Sequence, residues 1–241
     1  MNNIAVQAID LCRQFGHFMA VDHINFEVYQ GEIFGFLGAN GAGKTTTIRM
    51  LTGLLMPTAG EGRVNGFNIS NDVEKIKRTI GYMSQKFSLY QDLTVEENIE
   101  FYGGIYGLSP QQIHDRTDWV LDKLNLQAQR RTLVSDIPLG WKQKLALGTA
   151  VLHNPPILFL DEPTSGVDPV SRREFWMLIN ELARNNTTVF VTTHYMDEAE
   201  YCNRLSIMHS GKIIALDSPT NLKQTYKKTS IEDVFVSLVD K

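Results

Sequence analysis

Cysteine is scarce. Only Cys12 and Cys202 occur in 241 residues, far apart and at no metal-ligand spacing. That excludes a cysteine-held metal site, and the two read as buried or free thiols of a reducing compartment. An excess of positive charge is also missing. Lys and Arg number 23 against 27 Asp and Glu, a net charge of −4, so the basic footprint of a nucleic-acid partner is absent and no such partner is expected. No apolar run approaches the ~20 residues needed to cross a bilayer. Met1-Asn2-Asn3-Ile4 lacks the basic and apolar regions of a signal peptide. Any membrane role is therefore expected to come through a partner. There is no internal repeat and no low-complexity stretch.

What is present is ordinary globular composition, 43% hydrophobic and 21% charged, with one stretch that organises the rest. Gly38-Ala39-Asn40-Gly41-Ala42-Gly43-Lys44-Thr45 fits G-x-x-x-x-G-K-[ST]. Glu32–Leu37 before it reads as a buried strand. Thr47–Leu54 after it reads as a helix ended near Gly53. Strand, loop and helix are the context a phosphate-binding loop requires. Its glycines let backbone N–H groups approach phosphate oxygens that a Cβ would keep away. The helix adds unpaired N–H groups and the positive end of its dipole. Lys44 is expected to reach the β- and γ-phosphates, and the Thr45 hydroxyl to bind Mg²⁺.

Along the chain, Ile4–Leu11 and Ile24–Tyr29 read as strands, the second from the alternation of Ile24, Phe26 and Val28. Phe15 lies between them, open to either a core role or stacking on a base. Pro57–Gly62 reads as a turn. Arg63–Gly66 and Ile80–Ser84 read as short strands, with Gln85 directly after the second. From about Lys86 to Asn154 the signals are helical. Thr94-Val95-Glu96-Glu97 is a capping box, and its helix is expected to run to the glycines near Gly103. Ser109-Pro110 starts another helix, with Ile113, Thr117, Val120, Leu121 and Leu124 on one face. A third is expected over Gly140–Leu152.

The chain then returns to strands. Pro156–Leu160 is apolar and ends at Asp161-Glu162. Carboxylates at such a strand end lie where ligands bind in open α/β sheets. Asp161 is placed to hold Mg²⁺ through water and Glu162 to activate the attacking water. Thr188–Thr193 is another strand, ending at His194. Spacing alone leaves His194 open between packing and a hydrogen bond to the γ-phosphate. Arg204–Met208 and Lys212–Ala215 read as a hairpin. Ser218-Pro219 starts a short helix, and Ile231, Val234, Phe235 and Leu238 mark a last one.

In this order the motifs resemble the nucleotide-binding subunits of ABC transporters, along nearly the whole chain. Gly38–Thr45 is similar to the Walker A loop, with Gly38, Asn40, Gly41, Ala42, Gly43, Lys44, Thr45 and Thr46 as nucleotide ligands. Ile157–Asp161 is similar to Walker B, followed by the catalytic Glu162. Gln85 matches the Q-loop, which implies a part in catalysis and a place beside Thr45 and Asp161 at the metal. His194 matches the catalytic H-loop position. Ser165-Gly166-Val167-Asp168 resembles the D-loop, which implies contact of Asp168 with nucleotide. Phe15 matches the aromatic that stacks on adenine.

The resemblance implies an α/β P-loop ATPase: a mixed sheet flanked by helices, an N-terminal antiparallel β portion, and an α-helical subdomain over about 86–154 inserted into a core of 1–85 and 155–241, all one nucleotide-binding domain. It implies ATP and Mg²⁺ as ligands. It implies integral membrane permease subunits as partners and a second nucleotide-binding subunit, expected to be a copy of this chain. The expected place is cytoplasmic, peripheral on the cytoplasmic face of the cell membrane. Gln85 and the loop to Leu93 would face the membrane partner, with Phe87, Leu89 and Tyr90 as apolar contacts.

One motif departs from the pattern. The family signature is usually Leu-Ser-Gly-Gly-Gln; aligned on Lys142-Gln143-Lys144-Leu145, this chain has Ile137-Pro138-Leu139-Gly140-Trp141. Pro138 offers neither hydroxyl nor N–H. Gly140 and the following helix start remain to meet a nucleotide across a dimer. An altered but working site is expected.

The ending Ser230–Val239 and the stretch Thr193–Glu200 resemble drug and polymer exporter ATPases, and the extra C-terminal β domain of some sugar-importer ATPases is not expected. Alternatives are a soluble translation- or DNA-associated ABC ATPase, or a poorly hydrolysing regulatory partner in an asymmetric pair. The DNA-associated relatives carry a long coiled coil before the signature, and no sustained heptads occur here.

Overall fold

The computed structural model describes residues 3–86 and 88–239. Two sheets organise it. β1 (Ile4–Phe15) and β2 (Phe18–Tyr29) form a long antiparallel hairpin, and β1 also pairs with β4 (Ala59–Val64), which pairs with the short β5 (Phe67–Asn68). The six-stranded sheet contains β3 (Ile33–Leu37), β6 (Ile80–Met83), β7 (Ile157–Asp161), β8 (Thr188–Thr193), β9 (Arg204–His209) and β10 (Lys212–Asp217). Its order is β10-β9-β3-β8-β7-β6, parallel except for the β9–β10 hairpin. Every residue of β3, β7 and β8 is buried. That explains their continuous apolar runs, since a parallel strand covered on both faces has no solvent side.

Two faces give two cores. On one, α1 (Lys44–Leu51) and the antiparallel sheet pack through Phe26, Phe34, Phe36, Phe159 and Phe190, with Phe36 and Phe190 ring centroids 5.3 Å apart. On the other lie α3 (Val95–Ile105), α4 (Pro110–Lys123), α5 (Leu139–Ala150) and α6 (Pro169–Arg184). The shorter α2 (Val73–Thr79) precedes β6, while α7 (Pro219–Tyr226) and α8 (Ile231–Val239) pack beside β9.

The helix starts obey local chemistry. Thr94 and Ser109 both form complete capping boxes, with Glu97 and Gln112. Thr117, Val120, Leu121 and Leu124 are buried, and Ile113 is half-buried. Elsewhere tertiary contacts override local signals. Ala59–Gly62 is strand, not turn, because Gly62 pairs with Ala8 and Val64 with Val6. Gly60 is required there: its φ is +81°, and a Cβ would stand 2.1 Å from the Asp10 carbonyl oxygen. α3 continues past Gly103, where a Cβ would press on Ile113 at 2.8 Å, so the glycine lets two helices approach rather than ending one. α2 and α6 had no counterpart in the strand and helix signals read from sequence.

Candidate active site: a phosphate loop facing a buried glutamate

The loop between β3 and α1 turns through Gly41 at φ +81° and Gly43 at +109°. A Cβ on Gly43 would lie 2.4 Å from the Ala20 carbonyl oxygen, so only glycine lets the loop pass beside β2. α1 begins at Lys44 itself, earlier than Thr47, and the Gly43 N-cap supplies no side chain to its first N–H groups. Lys44 is 3% exposed. Its ammonium donates to the carbonyls of Gly38 (2.7 Å) and Ala39 (3.1 Å) and lies 3.2 Å from Glu162 Oε1.

Glu162 follows β7 with φ +49°, left-handed backbone unusual for a residue with a Cβ. Its N–H reaches both the carbonyl and the hydroxyl of Thr192 on the neighbouring strand. The turn directs its carboxylate at the loop. There Oε2 accepts from Gln85 Nε2 (3.0 Å) and lies 3.1 Å from His194 Nδ1. β6, β7 and β8 end side by side, so Gln85, Glu162 and His194 meet although 109 positions separate the first from the last.

Asp161 is 1% exposed and accepts hydrogen bonds from Thr192 (2.7 Å) and Thr45 (3.1 Å). Burial pushes its carboxyl above the usual range, ahead of the lowering effect of those two hydroxyls. A hydroxyl, a buried carboxylate and the nearby Gln85 amide are hard oxygen donors of the kind Mg²⁺ takes. Among the described residues no three His, Cys, Asp or Glu side chains cluster as a metal site. A cation here would take the rest of its shell from water or a bound ligand.

A cleft of about 370 Å³ opens over the loop, lined by Asn40, Gly41, Gly43, Lys44, Thr45, Thr46, Gln85 and Glu162, with Phe15, Phe18 and Ala20 on its outer wall. Phe15 is the last residue of β1, paired with Phe18 across the hairpin turn, and is 45% exposed. The Arg13 guanidinium covers one face of its ring at 4.5 Å. Gly38 and Ala42 are buried residues of the loop itself, and Gly38 N–H donates to the Thr193 carbonyl.

Gly38, Ala42, Asp161 and His194 do not line the cleft but touch residues around it, whereas Gly140 and Asp168 lie away from it. Gly140 is in the first turn of α5, against Ser171 of α6. Asp168 caps α6, accepting from the N–H groups of Val170 and Ser171; hydrogen bonds from Ser171 hold its carboxyl below the usual range. In the loop after Gln85, Leu89 is buried rather than presented outward, while Tyr90 is 44% exposed and edge-on to Phe101. Phe87 lies outside the described residues. Sequence reasoning missed Phe18 and Thr192. Thr192 had a signal, a hydroxyl that directly follows the apolar run Val189–Val191 and precedes Thr193 at the strand end.

The sequence profile described as "ABC transporter" matches residues 21–165. The chain belongs to the ABC transporter family. This ABC ATPase is 46% identical over 239 residues to the "Probable multidrug ABC transporter ATP-binding protein YbhF" of Escherichia coli, covering 97% of the chain but 41% of that protein. It therefore spans about two fifths of that relative's length. It is 39% identical over 225 residues to the "Bacitracin transport ATP-binding protein BcrA" of Bacillus licheniformis, covering 92% of the chain and 72% of that protein. A solved structure titled "Structure of ATP binding subunit of ABC transporter" superposes with TM-score 0.88 at 28% identity, covering 98% of this chain and 99% of the other. A dimeric ATP-binding cassette bound to ADP and Pi shares the fold, with TM-score 0.80 at 24% identity over 88% of this chain and 98% of that one. Among the described residues no helix is long and apolar enough to cross a membrane.

Proposed function

We propose that this ABC ATPase powers an exporter, through ATP-driven pairing with a second copy and coupling to separate integral membrane subunits at the cytoplasmic face of the membrane. The observation that carries the reading is the convergence of Lys44, Gln85 and His194 on the one carboxylate of Glu162. Lys44 takes the β- and γ-phosphates, exchanging its two loop carbonyls for phosphate oxygens. Gly41, Gly43 and Thr46 line the same cleft and would offer backbone N–H groups to the phosphates, and Phe15 stacks on the base. Thr45, Asp161 and Gln85 would hold Mg²⁺, which supplies charge neutralisation at the phosphates. Glu162 accepts the proton of the attacking water, and Gln85 and His194 hold its carboxylate in line with the phosphate. Gly140 and Asp168, outside the cleft, meet the nucleotide of the other copy. The exporter assignment draws on the relatives named for multidrug and bacitracin transport.

The test is steady-state ATP hydrolysis by the purified chain over a wide protein concentration range, with Glu162→Gln as the blank. Specific activity that rises with concentration supports a catalytic homodimer. Turnover at the blank at every concentration counts against it.

A further inference from the structure

We infer that Glu198 is a positioning residue for hydrolysis, a buried carboxylate brace that sets His194 against Glu162. The inference rests on the ATPase reading above. Glu198 is 0% exposed, in a short 3-10 turn (Asp197–Tyr201) just beyond β8. One carboxylate oxygen accepts from the Thr164 hydroxyl at 2.5 Å; the other accepts from the Thr193 hydroxyl at 2.6 Å. Thr164 is two residues after Glu162, and Thr193 immediately precedes His194. One rigid group thus ties the segment carrying the catalytic carboxylate to the segment carrying its imidazole partner.

Burying a carboxylate is costly without hydrogen bonds and a countercharge. Here both are present. Arg172 of α6 stands with Nε 3.7 Å from Glu198 and its guanidinium 3.9 Å over the Tyr195 ring, next to His194. Its Nε has no hydrogen-bond partner among the described residues, so the attraction is through charge and the pair is not closed by a direct bond. Arg172 sits in the first turn of α6, so the same group also faces the segment that follows Glu162. Thr193 also accepts from Tyr195 N–H, which turns the chain after His194. None of these groups lines the cleft, so the brace acts only through where it holds Glu162 and His194.

The experiment compares full-length wild type with Glu198→Gln, Thr164→Val and the double variant. Glu198→Gln keeps the size and loses the charge. Thr164→Val keeps the volume, removes one hydroxyl and leaves His194's own segment untouched. Misplacing a catalytic group by about 1 Å costs up to about a hundredfold in rate. We expect kcat to fall about ten- to hundredfold in Glu198→Gln and by a smaller factor in Thr164→Val, with KM for ATP within about twofold. The double variant should be no slower than Glu198→Gln alone.

In the same proteins the ring ¹⁵N shifts of His194 report the hydrogen bonding of the Nδ1 that faces Glu162. They should move in both single variants, and they need no turnover. Unchanged His194 shifts in a folded variant overturn the inference. So does a kcat loss that only tracks the fraction unfolded. If Glu198→Gln does not fold, Thr164→Val decides alone. A wild-type chain inactive at every concentration would sink the ATPase reading, and the His194 shifts would still decide the brace.

Discussion

The ammonium of Lys44 and the carboxylate of Glu162 lie 3.2 Å apart, at 3% and 7% exposure. The group assigned to the phosphates and the group assigned to the water are thus each other's ion-pair partner. Each keeps the other's burial tolerable, because a buried charge left without its partner is destabilising by about 3 kcal/mol or more. Lys44→Ala should therefore do two things: abolish ATP binding and lower the thermal midpoint of the nucleotide-free chain. Glu162→Gln should retain binding, lose turnover and accumulate as an ATP-bound dimer. The double variant should recover part of the stability lost in Lys44→Ala. Calorimetry and equilibrium nucleotide binding on the three proteins check this, and wild-type turnover by Glu162→Gln would assign the base elsewhere.

Phe15 stands half-exposed at the rim of the cleft, with Arg13 on one face. An aromatic left in water at the edge of a polar cleft is suited to stack on a planar base. Stacking on an aromatic is worth about 1–3 kcal/mol per base by alanine substitution. Phe15→Ala should weaken ATP binding by roughly ten- to a hundredfold while leaving kcat at saturation close to wild type. Phe15→Tyr should be nearly silent. An equal affinity in Phe15→Ala would move the base to Phe18 or off the hairpin.

Pro138 is the N-cap of α5, with no side-chain cap, and Leu139 is 44% exposed beside Gly166. Serine at 138 would cap the helix, a gain of about 1 kcal/mol, and restore a hydroxyl donor. Glycine at 139, in the first turn, would cost at most about 1 kcal/mol and remove the side chain from the exposed face. Pro138→Ser with Leu139→Gly should leave stability nearly unchanged and tighten ATP-driven dimerisation. Sedimentation with and without ATP in the Glu162→Gln background reads the effect. A dimer no tighter than before would mean that Pro138 and Leu139 are already suited to their partner surface.

Asp161 carries a stability cost, and the Mg²⁺ role proposed for it would account for that cost. Burial raises its carboxyl pKa, so its contribution to folding is full below the ordinary carboxylate range and is lost as pH rises through the raised value. At neutral pH the ionised side chain is held against that cost by Thr192 and Thr45. Asp161→Asn keeps an oxygen for both hydroxyls and removes the charge. It should raise the thermal midpoint of the nucleotide-free chain, by about 2–4 °C for each kcal/mol gained, and abolish Mg²⁺-dependent turnover. The stabilisation should shrink as pH falls toward the carboxylate range. A lower midpoint at neutral pH would show that the hydrogen bonds outweigh the desolvation.

Much of this chain was readable without a fold. The phosphate loop, the capping boxes at Thr94 and Ser109, and the apolar strands ending at Asp161-Glu162 and His194 are each determined over a few consecutive residues. There backbone conformation and side-chain chemistry act locally, so a linear pattern carries them. The start of α6 also has a local signal that was not read as a helix, since Asp168-Pro169 is a cap followed by proline at the first helical position.

The start of β4, Ala59–Gly62, was not legible, because its glycines and the preceding Pro57 spell a turn until β1 supplies partners for its backbone. Nor was the meeting of Gln85, Glu162 and His194. Their convergence depends on β6, β7 and β8 lying side by side in parallel register. Hydrogen bonding between distant strands sets that order, and no stretch of sequence contains it. Local chemistry determined which groups this protein owns; strand order decided which of them share one carboxylate.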